Sequence, residues 1–191
     1  MKAYMYDNLM NVLEKKKLRN ERKILLENIR GKIIELGAGT GVNFEFYTDN
    51  EVIAVEPDEV LNAEAQKKIG SKNIKIISAF AEELPFEDNT FDTVLITLAL
   101  CTIPNPEKAL KEAERICKRG GQLLILEHIK NENRFLFSLQ NILTPVWKKF
   151  AMGCHLNRDT LSFIKNNNFE QVSLKYFWGN NFVSGVFKNI K

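Results

Sequence analysis

A run of three glycines at a spacing of two could form a turn that holds a ligand. Gly37, Gly39 and Gly41 directly follow a short apolar segment, and without a Cβ each lets the backbone turn tightly and approach a ligand closely. The dinucleotide-binding fingerprint instead places its third glycine three positions after the second. Glu35 suits the ammonium group of a cationic ligand better than a pyrophosphate. The loop therefore favours a cationic ligand over a nicotinamide dinucleotide, and an ordinary strand-to-helix turn is the alternative.

A second acidic residue, Glu56, ends the next apolar segment and is followed by Pro57. An acidic side chain at the end of the second strand of an α/β sheet can accept hydrogen bonds from the hydroxyls of a ribose. The alternative is a surface glutamate whose charge is stabilised at the start of a helix. The position directly after an apolar strand favours the ribose-binding interpretation.

His128 follows the fifth apolar segment, at the carboxyl edge where open α/β sheets bind their ligands. An imidazole with an ordinary pKa of about 6.5 could take a proton from a thiol or a phenol. A capping or supporting histidine is an equally good interpretation. Later in the chain, His155 and Arg158 could contact an acidic group of a substrate, although such residues more often fix a loop.

Three cysteines, Cys101, Cys117 and Cys154, are an odd number without close spacing. Neither a disulfide framework nor a zinc site is therefore expected, and no metal site is predicted. Cys101 ends an apolar strand and Cys117 lies on an apolar helix face, so both are expected to be buried small hydrophobic residues. Nothing in the sequence around Cys154 indicates an activated thiol.

Five short apolar segments without polar alternation are typical of strands in a parallel sheet that is covered on both faces. They are residues 32–36, 51–56, 73–78, 91–98 and 121–127. Helix signals lie between them: Pro57 and Gly70 bracket one helix, and Asn105 with Pro106 begins another that stops at Gly120. Five β-α repeats of this kind predict a doubly wound α/β sheet with right-handed crossovers.

The two ends of the chain differ from this central pattern. Residues 4–29 are predicted to be helical. A long apolar and aromatic helix over 135–150, expected to be interrupted near Pro145, is followed by a short helix. Two β-rich segments, 171–177 and 182–188, should pair as an antiparallel hairpin. The expected fold is a doubly wound, Rossmann-like seven-stranded α/β sheet, mostly parallel, with an antiparallel C-terminal strand and helices on both faces.

Composition and charge exclude several classes of protein. The chain has 191 residues, of which 45% are hydrophobic and 27% charged, and this is neither a disordered nor a collagen-like composition. Its longest apolar stretch, residues 94–103, is about half of the roughly 20 residues that a membrane span requires, and no secretory signal is recognised. The net charge of +3 does not form the basic stripe of a nucleic-acid-binding protein. A cytoplasmic protein that binds no nucleic acid is expected.

The glycine loop, the acidic strand end, an A-E-x-L-P-F segment at 81–86 and an F-D-x-V segment at 91–94 occur together in this order. This arrangement resembles the class I S-adenosylmethionine-dependent methyltransferases, in the branch that includes quinone C-methylases. The resemblance implies that Glu35 and the glycine loop hold the methionine part of the cofactor and that Glu56 binds its ribose.

The same resemblance places Ala81 and Glu82 along the adenine, and Thr97 and Leu98 near the reactive centre. Phe80 departs from the family pattern, because many members have Asp at this position to contact the adenine amino group. The complete set of expected cofactor-binding residues is Glu35, Leu36, Gly37, Ala38, Gly39, Thr40, Gly41, Asn43, Glu56, Pro57, Ala81, Glu82, Thr97 and Leu98.

Further segments extend the resemblance over nearly the whole chain. The segments T-L-A-L-C at 97–101 and G-C-H-L-N-R at 153–158, among others, are similar to those of the methyltransferase-like thiol S-methyltransferases of animal membranes. Those proteins carry an N-terminal hydrophobic anchor, which is not expected here, so peripheral contact is the closest association with a membrane that is expected. The expected substrate-contacting residues are Tyr6, Cys101, Trp147, His155 and Arg158.

The expected enzyme transfers a methyl group from S-adenosylmethionine to an apolar small molecule, first of all a thiol, and releases S-adenosylhomocysteine. A quinone ring carbon and a phospholipid amine are alternative acceptors, whereas an NAD-dependent oxidoreductase and a non-catalytic cofactor-binding protein are alternatives from other classes. Because the sulfonium supplies the leaving group, the protein mainly positions the acceptor and excludes water, and His128 is the one expected catalytic residue. Residues 1–191 are expected to form one domain with a helical lid (1–30), a cofactor-binding core (31–128) and an aromatic helical segment with a hairpin (129–191). No oligomeric state is predicted.

Overall fold

A seven-stranded sheet forms the centre of the protein. The computed structural model describes residues 17–191, so Tyr6 and half of the expected N-terminal lid lie outside the described residues. The strands are β1 (Ile33–Leu36), β2 (Val52–Val55), β3 (Ile74–Ile77), β4 (Phe91–Thr97), β5 (Cys117–His128), β6 (Phe169–Phe177) and β7 (Phe182–Asn189). They are arranged in the order β3-β2-β1-β4-β5-β7-β6.

Strands β1 to β5 pair in parallel, and β7 is antiparallel to both of its neighbours, β5 and β6. In register, Ile34 of β1 lies between Ile53 of β2 and Val94 of β4. Every residue of β1 is buried, as expected for a central strand that is covered on both faces. The predicted parallel sheet and the predicted C-terminal hairpin are both confirmed.

The helices of the described part begin where the sequence supplies capping side chains. Asp58 accepts hydrogen bonds from the amides of Val60 and Leu61, so Pro57 lies before the cap and not at the first helical position. Asn105 accepts from the amide of Lys108, as the sequence predicts. The helices are α1 (Arg19–Leu26), α2 (Glu59–Gln66), α3 (Pro106–Ile116), α4 (Arg134–Phe150) and α5 (Thr160–Lys165).

Two connections between parallel strands contain no α-helix, so the prediction of five β-α repeats is wrong in its number of helices. The segment from β1 to β2 forms only a short 3-10 helix, Phe44–Phe46, because the positive φ angles of its glycines are incompatible with an α-helix. The segment from β3 to β4 is held in turns by side chains of α3. Arg115 donates to the carbonyl oxygens of Leu84 and Phe86, and Glu112 accepts from the amide of Leu84.

Strand β5 begins earlier than the sequence predicts. Helix α3 ends at Ile116, and Cys117, which was expected on the helix, already pairs with Phe91 of β4. A bulge in the pairing between Phe91 and Thr93 and the left-handed conformation of Gly120, with φ +74°, accommodate this early start. Cys117 is buried, as expected.

Helix α4 continues through Pro145, so the predicted interruption is wrong. Proline leaves the carbonyl oxygen of Asn141 without its main-chain hydrogen bond and crowds it, but the helix persists on both sides, and the hydroxyl of the preceding Thr144 donates to the carbonyl oxygen of Gln140. Most apolar side chains of α4 are exposed, including Phe135 and Ile142, so this helix contributes little to the core. Across residues 17–191, no helix combines the length and the apolar character that crossing a membrane requires.

Candidate active site

The glycine loop folds against the end of β2. The amides of Gly37 and Ala38 both donate to the carbonyl oxygen of Val55, at 2.9 and 3.0 Å. A Cβ atom on Gly37 would lie 2.5 Å from the Cβ of Ala99, so only glycine fits there. Gly39 also has a left-handed backbone, with φ +55°, but a Cβ atom on it would meet nothing within 4 Å. The backbone at Gly39 therefore faces open space into which a ligand can fit.

Glu56 connects this loop to the start of α2. Its Oε2 atom accepts from the amide of Gly39 at 2.8 Å, and its Oε1 atom accepts from the amide of Asp58 at 2.9 Å. Burial raises the pKa of the Glu56 carboxyl above its ordinary value, although the two amide hydrogen bonds oppose this change. Each carboxylate oxygen retains a second acceptor position. This geometry suits the two hydroxyls of a ribose.

A cavity of about 240 Å³ opens over the carboxyl ends of β1, β2 and β4. This is the edge at which open α/β sheets bind their ligands. The cavity is lined by Gly37, Gly39, Val55, Glu56, Pro57, Asp58, Leu61, Ala79, Phe80, Ala81, Glu82, Leu98, Ala99, Thr102, Ile103, Pro104 and Met152.

The cavity brings together half of the residues expected to bind the cofactor. The lining includes Gly37, Gly39, Glu56, Pro57, Ala81, Glu82 and Leu98. Phe80 also lines it and is largely exposed, so the carboxylate that many family members place there is replaced by an aromatic ring. The other expected residues are not among those that line it: Glu35, Leu36, Ala38, Thr40, Gly41, Asn43 and Thr97.

Glu35 is buried in a hydrogen-bonded network behind the glycine loop. Its Oε1 atom accepts from the amide nitrogen of Asn43, and its Oε2 atom accepts from the hydroxyl of Tyr47, each at 2.7 Å. Burial raises the pKa of the Glu35 carboxyl to about 7, although these hydrogen bonds and the positive charge of Arg22 oppose it. Direct contact with a cofactor ammonium group therefore stays a prediction, while the structure shows Glu35 bracing the loop.

Arg22 joins helix α1 to the same network, and sequence analysis did not identify it. One guanidinium nitrogen, Nη1, donates to Oδ1 of Asn43 and to Oγ1 of Thr97, each at 2.8 Å. Asn43 in turn donates to Oγ1 of Thr97 at 2.9 Å. Arg22 is buried, which is unusual for arginine unless its charge is paired. The network thus fixes α1, the glycine loop and the end of β4 relative to one another.

Two non-glycine residues in the cavity wall have left-handed backbones. Leu98 has a φ of +52° and Met152 a φ of +51°. Leu98 is held in place because its amide donates to the carbonyl oxygen of Leu126 at 2.7 Å. Such conformations cost about 1–3 kcal/mol and concentrate at functional sites. The sequence carries no signal for either, since neither position has a residue that favours this conformation.

A cluster of sulfur and nitrogen atoms, formed by Cys101, His128 and Cys154, lies beside the cavity. The Nε2 atom of His128 is 2.7 Å from the Sγ atom of Cys154, and Nε1 of Trp147 donates to that sulfur at 3.2 Å. The three potential ligand atoms lie within 4.8 Å of one another, and all three residues are buried. The cysteines are far apart in sequence but close in space.

The cluster changes the acidity of its members. The neighbouring Cys101, His128 and Trp147 together lower the pKa of Cys154 to about 5 against the effect of burial. Its interaction with Cys154, together with burial, raises the pKa of Cys101. Burial lowers the pKa of His128, but its contact with Cys154 outweighs this and raises it. The sequence around Cys154 carries no signal for this change, because Cys101 and His128 are distant from it in the chain.

Arg158 and His155 hold the loop that follows β4. The guanidinium of Arg158 donates to the carbonyl oxygens of Leu100 and Ile103. The backbone amide of His155 donates to the carbonyl oxygen of Cys101 at 2.9 Å. These contacts support the loop-fixing interpretation of Arg158, whereas contact with a substrate stays a prediction for both residues.

Comparison with known proteins matches the chain that carries this site to methyltransferases. Residues 34–125 match a family described as a methyltransferase domain. A thiol S-methyltransferase of Rattus norvegicus, TMT1B, is 31% identical over 84% of this chain and 72% of its own length. A demethylmenaquinone methyltransferase of Paenarthrobacter aurescens is 36% identical over 65% of this chain and 51% of its own length. In fold, a SAM-dependent methyltransferase of Thermotoga maritima superposes over the full length of both chains with a TM-score of 0.71 at 22% identity.

Proposed function

Since this chain belongs to the class I S-adenosylmethionine-dependent methyltransferases, we propose that it methylates an apolar small molecule, with a thiol as the first acceptor. The observation that carries this proposal is the wall beside the glycine loop. That part of the cavity is formed by uncharged residues, Leu98, Ala99, Ile103 and Met152, and the sulfur-rich cluster lies behind it. A wall of this kind selects an acceptor by apolar contact, and it offers no counter-charge to an ionic one.

Similarity to known enzymes also favours a thiol as the methyl acceptor. The rat relative is named a thiol S-methyltransferase, and this chain matches most of its length. The demethylmenaquinone methyltransferase matches a smaller share of both chains, which makes a quinone ring carbon the second candidate. Its ring would also be accommodated by an apolar wall.

The cofactor supplies a sulfonium-bound methyl group and its own leaving group. The residues of this chain position the reactants. Glu56 accepts hydrogen bonds from the ribose, the backbone at Gly39 allows close approach, and the network around Glu35 keeps the loop in shape. Leu98 and Met152 exclude water from the line along which the acceptor approaches, and this increases the effective concentration of the reacting atoms.

The role of His128 as the base that deprotonates the acceptor stays a proposal. Its Nε2 atom is already in contact with Cys154, while its Nδ1 atom is buried and has no hydrogen-bond partner among the described residues. A proton that leaves the acceptor therefore reaches His128 at Nδ1 or passes through the sulfur of Cys154. In the second case Cys154 and His128 act as one unit.

An acceptor panel with methyl-labelled S-adenosylmethionine tests the proposal. A small apolar thiol, a demethylated quinone and a phosphatidylethanolamine vesicle are offered to the same preparation, and labelled product is identified by mass spectrometry. We expect turnover of the thiol above both others. Preferential methylation of the quinone would replace the thiol with the second candidate. Binding of S-adenosylhomocysteine with turnover of none of the three would support a non-catalytic cofactor-binding protein instead.

A further inference from the structure

Three side chains that commonly bind zinc meet beside the cofactor cavity from distant parts of the sequence. Cys101 follows β4, His128 ends β5, and Cys154 follows α4. Their ligand atoms lie within 4.8 Å of one another. Soft thiolate sulfur and imidazole nitrogen are the ligands that zinc prefers, and a set of two cysteines and one histidine is known in catalytic zinc sites.

The cluster would have to open slightly to hold a tetrahedral zinc ion. Bonds of about 2.3 Å to sulfur and about 2.0–2.1 Å to nitrogen place two sulfurs about 3.8 Å apart and a sulfur about 3.6 Å from a nitrogen. In the structure, Nε2 of His128 is 2.7 Å from Sγ of Cys154, and no pair exceeds 4.8 Å. Side-chain shifts of about 1 Å therefore suffice to accept the ion.

Buried polar atoms without partners surround the same point. Nδ1 of His128 and Oε2 of Glu127 have no hydrogen-bond partner within the described part of the chain, although both are buried. Glu127 is held there because its other oxygen accepts from the amides of Ala99 and Leu100, directly before Cys101. Zinc on Nε2 of His128 would bind neither of these two atoms directly, but they leave room for polar partners of the kind that orient metal ligands from outside the first coordination shell.

Charge also favours a divalent ion at this position. Two thiolates, one neutral imidazole and one Zn²⁺ sum to zero, so these four groups together bury no net charge. The N–H of Trp147, 3.2 Å from Sγ of Cys154, is suited to hydrogen-bond a metal-bound thiolate.

We propose that Cys101, His128 and Cys154 bind a zinc ion whose fourth position is open and takes the sulfur of the acceptor. Within residues 17–191, no further Cys, His or carboxylate joins the three ligand atoms, and three protein ligands with one open position distinguish catalytic from structural zinc. The segments that carry Cys101 and Cys154 also line the cofactor cavity, through Thr102 and Met152. The assignment of the fourth position rests on the proposed function, whereas metal binding itself does not.

The resulting step is balanced without a further reactant. The thiol R–SH replaces water on zinc and releases its proton to solvent, because a coordinated thiol is deprotonated. With zinc bound, His128 and Cys154 act as ligands, and this step takes the place of the proton transfer to His128 described above. The zinc-bound sulfur then forms a bond to the methyl carbon as the bond from that carbon to the sulfonium breaks. The bonding electron pair returns to the cofactor sulfur, which gives neutral S-adenosylhomocysteine. The methyl thioether R–S–CH₃, a weaker ligand, leaves the metal.

Metal content and cobalt spectroscopy test the site directly on the full chain. We expect about one zinc per chain after desalting. After removal of zinc under reducing conditions, Co²⁺ alone should give thiolate-to-cobalt charge-transfer bands and the intense visible bands of a tetrahedral site. Cys101→Ser and Cys154→Ser should lower metal content by more than about tenfold. Cys117→Ser, which removes an equally buried cysteine outside the cluster, should retain the metal.

Each part of the proposal can fail separately. Absence of zinc together with absence of cobalt bands in the wild-type chain overturns it, and this result does not depend on whether a variant folds. A metal-free chain with a Cys101–Cys154 disulfide, found by peptide mass spectrometry, also overturns it. Bound cobalt whose spectrum does not change when the thiol is added overturns the assignment of the fourth position alone. Binding of S-adenosylhomocysteine to the zinc-free chain, measured by calorimetry, reports on the proposed function independently.

Discussion

The backbone amide of Gly39 lies 2.8 Å from Oε2 of Glu56 and donates a hydrogen bond to it. One carboxylate therefore both fixes the glycine loop and faces the cofactor cavity. This dual role means that a change at Glu56 affects the shape of the loop as well as the binding of a ribose.

Replacement of Glu56 by alanine should weaken cofactor binding while the fold persists. Loss of charge-assisted hydrogen bonds costs about 1.5–3 kcal/mol, so the dissociation constant for S-adenosylhomocysteine should rise about tenfold or more. Calorimetric titration measures it. Glu59→Ala, which removes the same charge from the exposed start of α2, is the control and should leave affinity unchanged. If both variants bound S-adenosylhomocysteine with equal affinity, Glu56 would not contact the ribose and would only support the loop.

Gly39 and Gly70 form a matched pair for testing the glycine loop. Both have left-handed backbones, and a Cβ atom on either would meet nothing within 4 Å, but only Gly39 lines the cavity. Alanine at each position should lower the melting temperature by about 2–8 °C, because a left-handed alanine costs about 1–2 kcal/mol. Only Gly39→Ala should also weaken cofactor binding about tenfold or more, since overpacking by one methyl costs about 1–3 kcal/mol. Similar cofactor affinity in both variants would show that the cofactor stays clear of Gly39.

The raised pKa of Glu35 predicts a pH dependence of stability. A carboxyl with a pKa of about 7 in the folded chain and 4.5 as its ordinary value binds more protons when folded, so it destabilises the folded state as pH rises from about 5 to 7. Glu35→Gln removes this titration. The melting temperature of the variant minus that of the wild type should therefore increase between pH 5 and pH 8. A difference that stays constant over this range would contradict the raised pKa.

Arg22 and Arg19 allow a comparison within helix α1. Arg22 is buried and bridges Asn43 and Thr97, whereas Arg19 pairs with Glu45 in a largely exposed salt bridge. Arg22→Ala should lower the free energy of unfolding by about 2 kcal/mol or more, since it leaves buried acceptors without their donor. Arg19→Ala should change it by less than about 1 kcal/mol. Denaturant unfolding measures both, and equal effects would show that the buried network contributes no more than the surface pair.

The sequence predicted those parts of the site that depend on the order of residues along one strand and its loop. Gly37 and Gly39 face the cavity together with Glu56, because parallel strands place their carboxyl ends at one edge. The same reasoning did not reveal the hydrogen-bonded surroundings of Glu35. Nothing in the order of residues indicates that the segment after the glycines folds back and that Asn43 and Tyr47 donate hydrogen bonds to the carboxylate of Glu35.

The sulfur cluster was missed because it depends on contacts between segments that are distant in sequence. Cys101 follows β4 and His128 ends β5, and these two strands are neighbours in the sheet, so the predicted topology already implied that the two residues are close. No such signal was available for Cys154, whose position depends on the path of the chain after α4.

The position of β7 between β5 and β6 has a consequence for synthesis on the ribosome. β7 is synthesised after both strands with which it pairs. Until β7 has left the exit tunnel, β5 therefore keeps an open edge and β6 stays unpaired. Unpaired strand edges promote association between nascent chains. The part of the sheet formed by β5, β7 and β6 is therefore completed only after translation has passed Asn189. Of the strand edges in this part, the edge of β5 is exposed to chaperones for the longest time.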